Sequence, residues 1–399
     1  MSLQSGRPTG VDRVCLAYLK ALCDASEPCF GLVRTKLGFV LLDDAGAKAM
    51  LARLSGKVPW GTPDMLSRVL HKPNNYRRIT EAELRRFCIA RCRPNRLSRM
   101  LQRYLPDGVV YVNVDHANAT ERVLWSVKSV PKARVTLFLH DTIPLDFPQY
   151  QTPLSVKKFE KFLMRAQRFA DMILCNSQVS KEDVQRHMAN WGDVPPIHVA
   201  HLGLDERCFQ IDDNPSLPEE LKAPYFVALG TIEPRKNHGL LLDLWAELEA
   251  SAGMEVIPTL VICGRRGWMN EDVFARLDQI RKNGRHVLEL NQPSDAYIAA
   301  LLKGSAGLVF PSLAEGYGLP PIEAAALGVP VLCNDLPVLR EVLGDYPVYA
   351  SVTDSYAWKE AIIDLAQRDR NSGSQNVYIP RRFDPPNWQS HFNIALKVT

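Results

Sequence analysis

The sequence predicts an α/β protein of two Rossmann-like domains, each a doubly wound parallel sheet, that face each other across a cleft. Short, β-rich apolar runs alternate with longer amphipathic stretches along most of the chain. The runs are continuously apolar, which is typical of strands covered on both faces. A polar stretch divides them into two series, and a chain of 399 residues is long enough for two or three domains.

The predicted strands define the domain boundaries. The first series comprises 109–114, 134–140, 172–177 and 197–201. The second comprises 225–230, 259–264, 286–290, 307–311 and 330–333. Residues 205–224 hold three prolines and lack apolar periodicity, which predicts an interdomain linker. We therefore expect one domain over residues 1–204, a second over 225–380, and a closing helix over 381–399 that crosses back to the first.

The N-terminal third is less regular. Residues 29–43 predict a hairpin around residues 36–38, and residues 11–24 predict a helix. A parallel domain usually opens on a strand, yet only Met-Ser-Leu-Gln precedes the loop before this helix. We therefore expect either that a first strand is missing ahead of residue 1 or that the domain begins in an unusual way.

Composition excludes several classes of protein. Lys and Arg number 48 against 44 Asp and Glu, and a net charge of +4 does not indicate a nucleic-acid partner. The nine cysteines include no Cys-x-x-Cys pair and mostly lie in apolar runs, which indicates a reducing compartment. Cys88 and Cys92 lie four residues apart, but no further His or Cys pair completes a metal site. Since there is no signal peptide and no apolar run of about 18 residues, we expect a cytoplasmic protein.

The strongest motif is P-S-L-A-E-G-Y-G-L-P-P-I-E at residues 311–323. It predicts a strand, a loop with Gly316, Tyr317 and Gly318, and a helix, whose free backbone N–H groups suit a phosphate or sugar hydroxyls. Two carboxylates, Glu315 and Glu323, flank the turn and could each hold vicinal hydroxyls. The plainer alternative is a loop in which Glu323 only caps the helix or pairs locally.

The second motif is G-T-I-E-P-R-K-N at residues 230–237. A predicted strand ends in Gly230, and Arg235 and Lys236 stand just before a predicted helix. Two cations beside a helix N-terminus form a diphosphate clamp without a metal. The alternative is a solvated basic turn.

Two weaker signals lie in the first domain. G-R-P-T-G-V-D-R-V at residues 6–14 places Gly10 in a flexible loop and Arg13 in the first turn of a helix, although an ordinary turn explains this equally well. His140 and Asp141 follow a strand directly, where side chains contact ligands. His140 could instead be a satisfied core residue, and Asp141 a cap or turn former.

A basic segment spans residues 68–103. It holds eleven Lys or Arg against two Glu, with apolar residues interspersed. We interpret it as a surface that attracts an anionic membrane, because such a segment gains about 1 kcal/mol per cation near anionic head groups. A solvated helix face and an RNA patch are the alternatives.

Taken together, these motifs resemble those of the retaining, GT-B-fold nucleotide-sugar glycosyltransferases of group 1, sometimes called family 4. The likeness is strong over residues 225–370, where E-G-Y-G-L-P-P-I-E is highly specific. The first domain adds T-G-V-D-R-V at 9–14, H-D-T-I-P at 140–144 and A-D-x-I-L-x-N-S at 170–177. The H-D-T-I-P run is most similar to bacterial mannosyltransferases that build surface polysaccharide such as lipopolysaccharide.

The resemblance implies a role for each residue of the second domain. Lys236 and Arg235 would hold the donor diphosphate and stabilise the leaving nucleotide. Glu315 would bind hydroxyls of the donor sugar, and Glu323 would grip the ribose. The loop amides from Gly316 through Tyr317 and Gly318 to Leu319 would contact sugar and phosphate.

Further implied roles concern close approach and loop closure. His140 would approach the transferred sugar, and the Gly10 loop with Arg13 would close over the phosphates. Gly230 would end the first strand of the second domain at the donor, and Gly264 would allow close approach of the second. Many relatives carry Arg directly after the first glycine of the lysine turn, where this chain has Thr231, so Arg235 would substitute for it.

The resemblance therefore implies transfer of a hexose from a nucleotide-diphosphate sugar, GDP-mannose as the first choice, with retention of configuration and without a metal or resident cofactor. The base would be read by backbone of residues 290–294. The acceptor would be a saccharide or a polyprenyl-linked saccharide, and no nucleic acid is expected as a partner. The alternatives are another nucleotide-sugar enzyme on this scaffold, such as an epimerase or phosphorylase, and an inactive sugar-nucleotide-binding protein.

Overall fold

In the computed structural model the chain has two parallel sheets flanked by helices, which confirms the predicted α/β class. The structure describes residues 9–73, 75–205, 218, 221, 223–251, 256–283, 286–370 and 383–398. Most of the predicted linker therefore lies outside the described residues. No helix within these ranges has both the length and the apolar character needed to cross a membrane.

The N-terminal domain contains two sheets. An antiparallel sheet has the order β1-β2-β3 and comprises β1 (Gly31–Thr35), β2 (Gly38–Leu42) and β3 (Cys88–Cys92). A parallel sheet has the order β4-β5-β6-β7 and comprises β4 (Val110–Asn113), β5 (Arg134–Leu139), β6 (Met172–Cys175) and β7 (Ile197–Val199). The predicted hairpin is β1 and β2, whereas β3 was not expected. Residues 1–8, which precede the first helix, lie outside the described residues.

The C-terminal domain is built on one parallel sheet of six strands. Its order is β10-β9-β8-β11-β12-β13, and it comprises β8 (Tyr225–Leu229), β9 (Thr259–Cys263), β10 (Val287–Leu290), β11 (Gly307–Phe310), β12 (Val331–Cys333) and β13 (Val348–Tyr349). The first five lie where the apolar runs predicted them. Only β13 was missed, because two residues carry no periodic signal.

The helices cover both faces of the two parallel sheets. Those of the N-terminal domain are α1 (Gly10–Asp24), α2 (Asp44–Leu54), α3 (Met65–Leu70), α4 (Arg77–Phe87), α5 (Leu97–Tyr104), α6 (Glu121–Lys128), α7 (Ile143–Asp146), α8 (Pro153–Phe169) and α9 (Gln178–Ala189). The remainder are α10 (His238–Ala250), α11 (Glu271–Asn283), α12 (Asp295–Lys303), α13 (Leu319–Ala326), α14 (Pro337–Leu343), α15 (Ser355–Arg370) and α16 (Trp388–Val398).

Strand β8 shows why the apolar runs are continuous. Its residues are all buried, and alternate side chains enter different cores. Phe226 belongs to the cluster that holds Trp245 and Trp358, whereas Val227 belongs to the cluster that holds Ile322. Because both faces of the sheet are covered, the strand needs no alternation of apolar and polar residues.

Helix α16, the last that the structure describes, packs against the N-terminal domain. His391 is buried, its Nδ1 donates to the carbonyl oxygens of Ala200 and His201, and its Nε2 accepts from the Tyr18 hydroxyl at 2.8 Å. The backbone of Gly203 lies against Trp388, so closely that a Cβ at Gly203 would stand 2.2 Å from the Trp388 nitrogen. The last described helix therefore packs on the N-terminal domain, although it follows the C-terminal domain in sequence.

A carboxylate on α14 forms a second tie between the domains. Glu341 accepts from the backbone N–H groups of Gln178 and Val179 at the start of α9, and from Nε2 of His201 at 2.8 Å. A carboxylate at a helix N-terminus is stabilised by the free N–H groups and the helix dipole. The C-terminal domain therefore caps a helix of the N-terminal domain.

The basic segment 68–103 is not a single amphipathic element. It runs from α3 through α4, β3 and α5, and four of its apolar side chains lie in the core instead of on an exposed face, namely Leu84, Leu97, Met100 and Leu101. Arg85 and Arg86 pair with acids, Arg85 with Asp64 and Arg86 with Glu83. The apolar residues of the segment thus belong largely to the core, whereas most of the remaining cations are exposed.

Candidate functional site

A cavity of about 460 Å³ lies between the two parallel sheets, at their carboxyl ends. It is lined by residues of both domains, as expected for a cleft beyond the strand ends of open α/β sheets. All of the predicted site residues line this one cavity, namely Gly10, Arg13, His140, Gly230, Arg235, Lys236, Gly264, Glu315, Gly316, Tyr317, Gly318, Leu319 and Glu323. The fold thus brings together motifs that are more than 300 residues apart in sequence.

The centre of the C-terminal side is a buried ion-pair cluster. Lys236 Nζ lies 2.5 Å from Glu315 Oε1, and Arg235 Nη1 lies 3.0 Å from Glu315 Oε2. Arg235 also pairs with Glu233 at 2.7 Å and donates to the carbonyl of Ala314 at 2.9 Å. The two predicted cations therefore hold each other's position through one shared carboxylate.

Burial and charge act in opposite directions on this cluster. Burial opposes ionisation of Glu315, but the charges of Lys236 and Arg235 outweigh it and lower the pKa of this carboxyl to about 2. Burial lowers the pKa of Lys236, and it raises the pKa of Glu233. The guanidinium of Arg235 stays charged, because Glu315 and Glu233 overcome the cost of its burial and raise its pKa. The ion pairs therefore hold these charged side chains in fixed positions, largely buried from solvent.

The glycine loop after β11 is pressed against the N-terminal domain. A Cβ at Gly316 would lie 2.8 Å from the carbonyl oxygen of His140, and the Gly316 carbonyl accepts from the Ser180 hydroxyl at 3.3 Å. Gly318 has φ +92°, a conformation that side chains rarely adopt, and it precedes α13 directly. Tyr317 donates its hydroxyl to the carbonyl of Leu202 at 2.9 Å, so its side chain joins the domains while the loop lines the cleft.

The first two strands of the C-terminal domain end on a close backbone contact. A Cβ at Gly264 would lie 1.8 Å from the carbonyl oxygen of Gly230. Gly230 has φ +135°, and its Cα faces the Lys236 side chain. Only glycine fits at position 264, which agrees with the close approach that we expected there.

Arg13 and Glu323 meet across the cleft. Arg13 Nη1 lies 2.8 Å from Glu323 Oε1, and Arg13 Nη2 lies 2.8 Å from Asp295 Oδ1. The capping box of Thr9 and Asp12 fixes the start of α1 and hence the direction of Arg13. Glu323 does not simply pair within its own turn, which was the plainer alternative, because its partner lies in the other domain.

His140 lies at the end of β5 with one nitrogen engaged. Its Nε2 donates to the carbonyl of Val114 at 2.8 Å, and burial lowers its pKa, so the imidazole is neutral at physiological pH. Asp141 accepts from the backbone N–H of Ile143, the local turn role considered as an alternative, and burial raises its pKa. The N-terminal side of the cleft is thus poor in free charge.

Three further cleft residues have no role predicted from the sequence, although Asn176 belongs to the A-D-x-I-L-x-N-S run at 170–177. Asn176 follows β6, and its buried Oδ1 has no hydrogen-bond partner among the described residues. Arg265 follows β9, and Asp295 opens α12. Each follows a strand or a short loop at the carboxyl edge of its sheet, and that position is the signal that could have identified them. The described residues contain no group of three or more His, Cys, Asp or Glu placed to hold a metal ion.

Comparison with known proteins shows which proteins this chain is similar to. Residues 210–377 match the family model described as "Glycosyl transferases group 1". The mannosyltransferase WbdA of Escherichia coli is 31% identical over 254 residues, which cover 60% of this chain and 31% of WbdA. O-antigen chain mannosyltransferase B of Escherichia coli is 30% identical over 242 residues, covering 59% of this chain and 61% of that protein. The chain thus spans from about a third to three fifths of the length of these relatives.

Solved structures share the overall fold along nearly the whole chain. HepE of Anabaena, crystallised with UDP-glucose, superposes with a TM-score of 0.62 at 16% identity, covering 99% of this chain and 97% of that one. A trehalose-phosphate synthase of Burkholderia xenovorans superposes with a TM-score of 0.58 at 12% identity and the same coverage. These likenesses confirm the GT-B fold, and the family match confirms the predicted resemblance to group 1.

Proposed function

We propose that the protein moves a hexose from a nucleotide-diphosphate sugar to an acceptor hydroxyl, because residues 210–377 match the family model of the group 1 glycosyl transferases. The observation that carries the proposal is the buried cluster of Glu315, Lys236 and Arg235 at the floor of a two-domain cleft. Such a cluster places fixed positive charge where a departing diphosphate would collect negative charge.

Each side of the cleft would serve a different part of the donor. Lys236 and Arg235 would hold the diphosphate, and Glu315, kept ionised by them, would accept hydrogen bonds from sugar hydroxyls. The N–H groups at the start of α13 would contact sugar and phosphate. Glu323 would grip the ribose while Arg13, its partner across the cleft, closes the site.

We propose that configuration is retained through attack on the same face as the leaving group. The acceptor oxygen forms a bond to the anomeric carbon as the bond from that carbon to the diphosphate breaks, and the hydroxyl proton passes to a donor phosphate oxygen. The carboxyl of Asp141 accepts from the backbone N–H of Ile143 in a local turn, and we assign it no role as nucleophile. No protein group is therefore assigned as base, and no metal is required by this scheme.

The donor that we propose first is GDP-mannose. The support is that several similar proteins, including WbdA, are named as mannosyltransferases. Residues 290–294 border the cleft at Gln292 and Pro293, where backbone groups would read the base. The acceptor would be a saccharide or a polyprenyl-linked saccharide, reached from the N-terminal domain.

A donor panel tests this function. Thermal shift and calorimetry with GDP-mannose, GDP-fucose, UDP-glucose and UDP-GlcNAc should show stabilisation by one nucleotide class, because a ligand bound to the native state raises its apparent stability. NMR of the product formed from that donor, made with and without EDTA, should show the α-anomer of an α-linked donor in both samples. Binding of none of these donors would reject the function, and an inverted product would reject retention alone.

We also propose that the basic segment brings the protein to the anionic inner face of the plasma membrane. Besides Arg86, which pairs with Glu83, eight of its cations are exposed, namely Arg68, Lys72, Arg77, Arg91, Arg93, Arg96, Arg99 and Arg103. Met65 and Val69, on one side of α3, are 83% and 77% exposed and could enter the head-group region.

Vesicle sedimentation tests this attachment. We expect binding to vesicles with phosphatidylglycerol, weakened by salt, and little binding to phosphatidylcholine alone. Arg99→Glu with Arg103→Glu should weaken binding strongly, whereas Lys157→Glu with Lys158→Glu, an equal charge change on α8, should have a smaller effect. Equal loss in both double variants would indicate a net-charge effect and reject a localised surface.

A further inference from the structure

The charges that line the cleft nearly cancel before any donor enters. The described residues around it include four cations, Arg13, Arg235, Lys236 and Arg265, and five carboxyl groups, Asp141, Glu233, Asp295, Glu315 and Glu323. A diphosphate adds about two further negative charges. The cleft must therefore supply a cation that is not already neutralised, or the donor would meet no net attraction.

Three of the four cations are engaged with carboxylates. Arg13 pairs with Asp295 and Glu323, while Arg235 and Lys236 share Glu315. Arg265 is exposed, and within the described part of the chain no carboxylate lies in ion-pairing range of its side chain. It is therefore the cleft cation that a ligand can engage without breaking an existing ion pair.

The backbone around Arg265 is fixed beside the lysine turn. The N–H of Ile232 donates to the Arg265 carbonyl at 2.9 Å, and the N–H of Gly267 donates to the Ile232 carbonyl at 3.0 Å. These bonds extend the pairing of β8 and β9 past the strand ends, with Ile232 bridged to Arg266. Arg265 is thus carried on the loop that runs alongside Gly230 and Thr231.

Neighbouring side chains on this extended stretch take different directions. Arg266 is turned to Glu289 and Asp278, both at 2.7 Å, on the far side of the loop. Successive side chains of an extended chain point to opposite sides, so Arg265 faces the cleft that it lines. The adjacent arginines therefore divide into one that is structurally paired and one that is available.

We propose that Arg265 binds the diphosphate of the donor, as a third cation beside Arg235 and Lys236. The inference rests on the proposed function, and it adds a residue from the second strand loop to the phosphate site. A guanidinium presents a planar fork that matches two phosphate oxygens, and its pairing with phosphate is charge-assisted. The ligand class that this site selects is a nucleoside diphosphate over a nucleoside monophosphate.

Calorimetry with two nucleotide pairs tests the proposal. GDP and GMP, and UDP and UMP, are titrated into wild type, Arg265→Gln, Arg265→Lys and the control Arg281→Gln, an exposed arginine on α11. For the base that binds, Arg265→Gln should weaken the diphosphate about tenfold, a loss typical of one hydrogen bond to a charged group. The monophosphate should weaken less than threefold, and Arg265→Lys should fall between.

The outcomes separate this inference from the proposed function. If wild type binds neither GDP nor UDP, the function itself fails. If wild type binds one of them and Arg265→Gln binds it equally well, the role of Arg265 is overturned while the function stands. Equal weakening of diphosphate and monophosphate, or the same loss in Arg281→Gln, would also overturn it. The thermal unfolding midpoint of Arg265→Gln should lie within about 2 °C of wild type, which shows that the variant is folded.

Discussion

The two sides of the cleft differ in how they present charge. The C-terminal side concentrates fixed charges in a buried cluster around Glu315, and it adds the exposed Arg265. The N-terminal side offers mainly neutral groups, the imidazole of His140 and the amide of Asn176, while its cation Arg13 is tied to carboxylates of the other domain. In the proposed function, the C-terminal side would hold the diphosphate and the sugar hydroxyls, whereas the neutral N-terminal side would position the transferred sugar against the acceptor.

The sharpest test of this division is removal of the buried ammonium. Lys236→Met should lower kcat/KM by at least about 10²–10³-fold, because a preorganised cation at the developing charge is lost. It should also lower the free energy of unfolding by about 3–5 kcal/mol, since Glu315 loses its nearest partner while buried. Nucleotide-release assays and urea unfolding measure the two effects.

A double variant separates stability from catalysis. Lys236→Met combined with Glu315→Gln removes both charges and should recover part of the lost stability, because no uncompensated carboxylate remains beside Arg235. Activity should remain at the level of the single variant or below. Near-wild-type turnover in either variant would contradict the role of the C-terminal side.

A second test disrupts the backbone contact between the ends of β8 and β9, beside the buried charges. Gly264→Ala places a Cβ where the Gly230 carbonyl oxygen stands. We expect the free energy of unfolding to fall by a few kcal/mol and donor binding to be lost. The matched control is Gly239→Ala, in α10 of the same domain, where the nearest atom is 4.0 Å from the new Cβ. That control should be neutral or stabilised by up to about 1 kcal/mol. Similar behaviour of both variants would show that the strand contact is unimportant.

A third test concerns the neutral side. His140→Ala should lower kcat about 10- to 100-fold and leave nucleoside-diphosphate affinity within about twofold, because the residue contacts sugar and not phosphate in this scheme. His140→Gln, which can keep the donation to Val114, should retain more activity. If His140→Ala weakened diphosphate binding as strongly as Lys236→Met, the division between the two sides would fail.

The smallest expected effect is a dependence of stability on pH. Burial lowers the pKa of His391 to about 4, so the native state binds its proton less readily than the unfolded state. Stability is therefore complete above about pH 6.5 and is lost as pH falls from there toward 4, by up to about 1.4 kcal/mol per unit. Urea unfolding of His391→Asn at pH 7 and pH 5 should show a shallower loss than wild type, while the exposed His286→Gln should follow wild type.

Much of the C-terminal domain could be predicted from its sequence because its signals are local. Strands such as β8 and β9 are unbroken apolar runs, and the motif around Glu315 places loop, carboxylate and helix in a fixed order. The spacing could not reveal that Glu315 would be shared by two cations, or that Glu323 would face Arg13. Those are contacts between segments far apart in the chain.

The N-terminal domain was harder to predict for a related reason. Strand β3, with the sequence C-I-A-R-C, lies inside the basic segment 68–103, and its short run carries no signal for the pairing with β2. Arg265 was overlooked because a single arginine after a strand carries no motif, and only the ion pairs of its neighbours distinguish it. The sequence motifs predict which residues line the site, whereas the ion pairs in the structure decide which of these charged side chains can still bind a ligand.

The position of α16 has a consequence for anyone who recombines such proteins. This helix follows the C-terminal domain in sequence, but its His391 hydrogen-bonds to the carbonyls of Ala200 and His201 and to the Tyr18 hydroxyl, all in the N-terminal domain. A chimera cut in the linker, with its C-terminal half from another protein, would therefore graft a foreign helix onto the native N-terminal half. A chimera that exchanges donor specificity should fold when residues 388–398 and the N-terminal domain come from the same protein and only the C-terminal domain is replaced.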